Sequence, residues 1–170
     1  SCSNYPAGYF HVYQQVAQQQ LDAVLHLGDY IYEYEQGGYA TERSVELGRA
    51  LAADNQAEMV SLADYRKRYA LYRSDKDLQQ AHANHSFICV WDDHEITNDA
   101  WTDGAENHQP NEGDYQLRKL NALQAYYEWM PIRPLVSGQQ QSLSRSFAFG
   151  DIVDLHMLDT RIEGHNQQLE

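Results

Sequence analysis

An α/β domain follows from three features of this sequence: short apolar runs of strand length, longer segments with apolar residues at helical spacing, and the alternation of the two along the chain. Tyr9, Val12, Tyr13 and Val16 recur among glutamines and predict a helix over Tyr9–Gln20, followed by the buried strand Ala23-Val24-Leu25-His26-Leu27. Gly28-Asp29 closes that strand, which puts Asp29 at a carboxyl end, where open α/β sheets bind ligands. Residues 33–56 are polar, contain glycines and lack sustained periodicity, so they read as a surface excursion with room for a short helix. Ser61 and Asp64 have capping-box spacing ahead of a helix over Leu62–Tyr72, with Leu62, Tyr65, Tyr69 and Tyr72 inward and Arg66, Lys67 and Arg68 on the wetter side. Ser74 with Asp77 predicts a second cap and a helix over Asp75–Ala83.

Phe87-Ile88-Cys89-Val90-Trp91 predicts another buried strand, ending in Asp92-Asp93-His94-Glu95. Leu117, Leu120, Leu123, Tyr127 and Met130 give the apolar face of a helix over Glu112–Met130, stopped by Pro131 and Pro134. Arg145–Phe149 and Ile152–Leu158 form a hairpin around a two-residue Gly150-Asp151 turn, and the second strand runs into Asp159-Thr160-Arg161. No repeat, linker or domain boundary interrupts the chain.

Composition narrows the function classes. The 170 residues carry 12 Lys+Arg against 25 Asp+Glu, a formal charge of -13. Binding to nucleic acid or to anionic membranes requires the opposite sign. A hydrophobic fraction of 42% places the chain among globular proteins rather than disordered ones. No run reaches membrane-spanning length. Cys2 and Cys89 are too few for a disulfide framework but allow one bridge. The polar ends, Ser1-Cys2-Ser3 without leader features and Gly164 to Glu170, suggest a fragment.

Acidic residues follow three of the strands: Asp29, Asp92/Asp93 and Asp159. If the strands are neighbours, these carboxylates crowd one rim, where they repel or hold protons unless a cation lies between them. As turn formers or helix caps they would need no metal. Tyr32, three residues after Asp29, can return to the same point, and phenolate is a strong ligand for ferric iron. The stretch Trp91–Asp99 holds four carboxylates, a histidine and an asparagine, a density that packing does not explain. It is not the zinc-protease helix motif, because Asn98 stands where the second histidine would be.

These residues resemble the PhoD-like alkaline phosphatases and phosphodiesterases, a branch of the calcineurin-like metallophosphoesterases. The resemblance rests on Ser1-Cys2-Ser3 with Gly8-Tyr9-Phe10, on Leu25 through Tyr34, on Tyr65-Arg66 through Tyr72-Arg73, on Trp91-Asp92-Asp93-His94-Glu95 with Asn98-Asp99, and on Leu158-Asp159-Thr160-Arg161. It implies an α/β/β/α sandwich truncated at both ends, with residues 1–170 the central segment of one catalytic domain. The later metal-binding histidines have no counterpart after Arg161, so this segment alone is expected to bind metal weakly and to be inactive.

By the same resemblance, Asp29 bridges two metal ions, Tyr32 and Cys2 ligate Fe3+, and Asp93 and Asn98 compete for a Ca2+ ligand role, with other divalent metals also compatible. His94 contacts the phosphate and assists the leaving group, beside Asp93. The implied activity is hydrolysis of a small-molecule or lipid phosphate ester by a metal-activated water, in an exported protein. Two other readings are a carboxylate glycosidase using Asp92 and Asp93 or Asp29, and a non-catalytic carbohydrate-binding or interaction module presenting tyrosines. Cys89 is expected to be a buried hydrophobe, His26 a core histidine, Arg161 an ion-pair partner of Asp159, and Trp101 to Gly113 a loop near the site.

Overall fold

The computed structural model describes residues 1–133 and 142–167. Its elements run α1 (His11–Gln18), β1 (Val24–His26), α2 (Leu62–Arg73), α3 (Lys76–Asn84), β2 (Phe87–Cys89), β3 (Ala100–Trp101), β4 (Gly104–Ala105), α4 (Tyr115–Trp129), β5 (Arg145–Phe149) and β6 (Val153–Met157). β1 and β2 pair in parallel, with Val24 opposite Phe87 and His26 opposite Cys89. The helical crossover between them brings both carboxyl ends to one edge, which places the acidic exits side by side. α1 packs on α3 and α2 on α4.

Tyrosines build much of the interior. Tyr65, Tyr69 and Tyr72 line the inner face of α2 and are fully buried with Tyr126 of α4, Met59 and Ile96. The Ser61–Asp64 capping box forms as the sequence predicts. The next cap differs: Asp75, not Ser74, accepts from the amides of Asp77 and Leu78. Ser74 closes α2 instead, donating to the Leu71 carbonyl. Ser74 is still helical at φ -77, ψ -14, whereas an N-cap needs the extended backbone that Asp75 adopts.

Three further expectations are corrected. Arg68 belongs to the buried face of α2, not the wet one, being 1% exposed. Leu117 and Leu120 of α4 are exposed, and the buried face is Tyr115, Arg118, Ala122, Leu123, Ala125 and Tyr126. A buried arginine on each helix rotates the inward face away from the one hydropathy marks. The β5–β6 turn spans three residues, with Phe149 paired to Val153 and Gly150 at φ 60. Pro131 follows the end of α4, and Pro134 lies outside the described residues. Cys2 and Cys89 are both free, the latter fully buried.

One glycine is dictated by the approach of two loops. At Gly28, φ 103, an added Cβ would stand 2.2 Å from the Asp92 amide nitrogen, inside van der Waals contact with immobile backbone. Gly28→Ala is expected to destabilise the protein by about 2 kcal/mol or more, through the clash and the unfavourable φ together. Thermal unfolding checks this, and an unchanged midpoint would contradict the close approach.

Candidate metal and catalytic site

The site forms where the exits of β1 and β2 meet. Asp29 is held at φ 54, a left-handed conformation that costs an ordinary residue about 1–2 kcal/mol and that aspartate tolerates better than most. Glu95 holds it there. This fully buried carboxylate accepts from the backbone amides of Asp29 (3.1 Å), Tyr30 and Asp92 (2.8 Å), tying both strand exits to one anchor. Burial outweighs those three amides and, with the nearby charge of Asp29, raises Glu95 to about 8.

Asp29, Asp93 and His94 converge, each offering a ligand atom within 4.8 Å of the others. Asp29 Oδ2 accepts from the Tyr32 hydroxyl at 3.2 Å, while its Oδ1 is buried with no hydrogen-bond partner among the described residues. Cys2 reaches the same carboxylate because the first residues run beside the β1 exit: the Cys2 amide donates to Gly28 O and that of Ser3 to Asp29 O. Cys2 is itself left-handed, at φ 59. Burial and then the Asp29 charge push the Cys2 thiol and the Tyr32 phenol up, as burial and the Asp93 charge do for Asp29. Cys2, Tyr32 and Asp29 thus each hold a proton more tightly than usual, although the His94 charge and the Cys2 hydrogen bond work the other way at Asp29, and a bound cation would oppose each of these shifts.

His94 stacks on Tyr32 with ring centroids 4.3 Å apart and donates from Nδ1 to Glu33 at 2.8 Å. Burial pushes the imidazolium down, but the Glu33 hydrogen bond and the charges of Glu33, Asp93 and Asp29 outweigh it, raising His94 to about 9. Tyr34 and Tyr39 continue the aromatic wall beside it. Asp93 also accepts from the Asp99 amide at 2.6 Å and pairs with Arg161 at 3.3 Å.

Two predicted site residues are placed differently from the rest. Asp159 lies away from the cluster: it accepts from Trp91 Nε1 at 3.0 Å and from the amides of Arg161 and Ile162, because among the described residues β6 pairs only with β5. The third acidic exit is therefore a brace, and three exits do not share one rim. Arg161 is an ion-pair residue, but with Asp92, Asp93 and Asp99. Asn98 donates from Nδ2 to Glu106 at 2.9 Å and from its amide to Glu33 at 2.7 Å. His26 is 1% exposed, donates or accepts at Tyr13, and is lowered to about 3 by burial and nearby positive charge, so it is neutral. The 101–113 segment folds over a small β3–β4 hairpin beside the site.

Sequence reasoning assigned no role to Glu33 or Glu95, although both stand in the quoted motifs. The available signal was an acidic residue inside a run of buried aromatic and apolar neighbours.

The family profile described as PhoD-like phosphatase matches residues 1–170. Alkaline phosphatase D of Bacillus subtilis (strain 168) is 41% identical over 163 residues, spanning 95% of this chain and 27% of its own length. A solved structure of PhoD superposes with a TM-score of 0.80 at 38% identity, covering 95% of this chain and 30% of that one. The chain thus spans less than a third of the length of the relatives it matches.

Proposed function

Because the chain belongs to the PhoD-like phosphatase family, we propose that its residues form one wall of a metal-dependent phosphoric ester hydrolase acting on phosphomonoesters or phosphodiesters through a metal-activated water. The observation that carries this reading is the buried Asp29 Oδ1, without a hydrogen-bond partner among the described residues, beside Asp93 and His94. A buried carboxylate oxygen without a donor costs about 1–3 kcal/mol, and a bound cation removes that cost.

The donor set fits the implied ions. Thiolate, phenolate and a bridging carboxylate suit a ferric ion at Cys2, Tyr32 and Asp29, while carboxylate and amide oxygens suit calcium at Asp29 with Asp93 or Asn98. Bound there, the metals would supply Lewis acidity, lowering the pKa of a water and spreading charge over the phosphoryl oxygens. They would also invert the field of an acidic protein that otherwise repels an anionic ester.

The chain's own residues do the rest. Asp29 would serve as a ligand to both ions, Tyr32 is hydrogen-bonded to it and stacked on the His94 ring, and His94 would assist departure of the leaving oxygen. Among the described residues no helix is long and apolar enough to cross a membrane. An exported location, where calcium is abundant, and a small-molecule or lipid phosphate ester substrate complete the reading.

Metal analysis with visible spectroscopy of the full-length protein tests it. Iron, calcium and a tyrosinate-to-iron charge-transfer band are expected, with hydrolysis of an aryl phosphate ester lost on chelation. A colourless, iron-free preparation that still hydrolyses the ester would overturn the iron assignment, and chelation-resistant turnover would favour a carboxylate glycosidase-type site.

A further inference from the structure

We propose that Glu33 is a positioning residue that acts through His94, fixing which imidazole nitrogen meets the leaving group and thereby setting how well poor leaving groups are expelled. This rests on the phosphoesterase reading above.

Glu33 has no exposure to solvent, so it touches neither substrate nor solvent-borne metal. Its carboxylate faces donors only: His94 Nδ1 at 2.8 Å, the Asn98 amide at 2.7 Å, Asn107 Nδ2 at 2.9 Å and Thr97 Oγ1 at 3.3 Å. An ionised carboxylate can only accept, so the bond to His94 requires the proton to sit on Nδ1, and Nε2 is the nitrogen that Glu33 leaves for other partners. The His94 ring also stacks on Tyr32 and packs against Tyr34. The Asn107 side chain, the Thr97 hydroxyl and the Asn98 amide hold Glu33 itself still, so the ring is held in one orientation with Nδ1 on Glu33.

In the reaction, a bond forms from water oxygen to phosphorus and the phosphorus–leaving-oxygen bond breaks. The bonding pair departs on the leaving oxygen, which takes the proton from His94 Nε2. The attacking water's proton passes to solvent, from which the ring is reprotonated. The negative charge of Glu33 compensates the ring while both nitrogens hold protons. An alkyl leaving group depends on that proton, whereas a nitrophenolate departs without it.

Glu33→Gln keeps the shape but must turn an NH2 toward at least one donor, releasing His94. In the metal-loaded full-length protein we expect kcat to fall about 10²-fold for an alkyl phosphate ester and less than about fivefold for the p-nitrophenyl ester, with KM and metal content little changed. An equal fall across the series with metal retained would overturn the proposal, since a purely structural role has no leaving-group dependence. Should Glu33→Gln lose metal, Asn107→Ala removes one anchor and keeps the carboxylate: a steeper leaving-group dependence supports the proposal and an unchanged one overturns it. A wild-type protein that hydrolyses no ester defeats the phosphoesterase reading itself, which separates the two failures.

Discussion

If Asp29 is the shared metal ligand proposed above, Asp29→Asn is expected to reduce kcat/KM of the full-length protein by about 10³-fold or more, because losing such a ligand forfeits several kcal/mol of charge stabilisation and each 1.36 kcal/mol is tenfold. Asparagine is the informative replacement. It also tolerates the left-handed backbone at φ 54, and its oxygen can keep the Tyr32 hydrogen bond. Stability should move the other way. Burial and the neighbouring Asp93 raise the Asp29 carboxyl above its ordinary value, so in metal-free protein its ionised form opposes folding. A group with a raised folded pKa contributes stability that is present below the unfolded value and lost as pH rises through the folded one. Metal-free Asp29→Asn is therefore expected to unfold at or above the wild-type midpoint at neutral pH, while metal-loaded wild type unfolds above both. Metal analysis, kinetics and melting curves check this together. Intact metal content and rate in Asp29→Asn would show that the central assignment is wrong.

Arg68→Met should be the most damaging change to folding. Arg68 donates to the carbonyls of Tyr32, Tyr34 (2.9 Å) and Ala57 (3.1 Å) and to both oxygens of Asn55. Among the described residues no carboxylate pairs with it directly. Its role is to satisfy the backbone of the 32–57 excursion, which has no sheet or helix to do so. Methionine matches the stem but strands those buried oxygens, at about 1 kcal/mol or more each, for a loss of roughly 3–5 kcal/mol. Lysine offers a point charge instead of a planar fork and should recover only part. Because Tyr32 lies at one end of this network, the metal site should weaken with it. Denaturant titration measures the loss, and a change under about 1 kcal/mol would contradict the bridging role.

Several elements were legible because their causes are local. The Ser61–Asp64 box, the Tyr65, Tyr69 and Tyr72 stripe, and the runs around Val24–His26 and Phe87–Cys89 each carry their signal within a few residues. Asp29, Tyr32, Asp93 and His94 were legible for the same reason, as dense polar exits from apolar strands. What misled hydropathy was long-range satisfaction of charge: Arg68 and Arg118 are buried because distant carbonyls and Glu58 receive them, which turns α4 so that Leu117 and Leu120 face outward.

The sequence by itself determined the alternation of strand and helix, the acidic strand exits and the family. Only the tertiary structure decided which exits meet. Parallel pairing of β1 and β2 joins Asp29 to Asp93 and His94, while the separate β5–β6 hairpin sends Asp159 to brace Trp91. It also decided that Glu33 and Glu95 are buried carboxylates surrounded by donors. A carboxylate's role depends on what faces it, donors or an empty space between anions, and that is set by contacts some sixty residues apart in the chain.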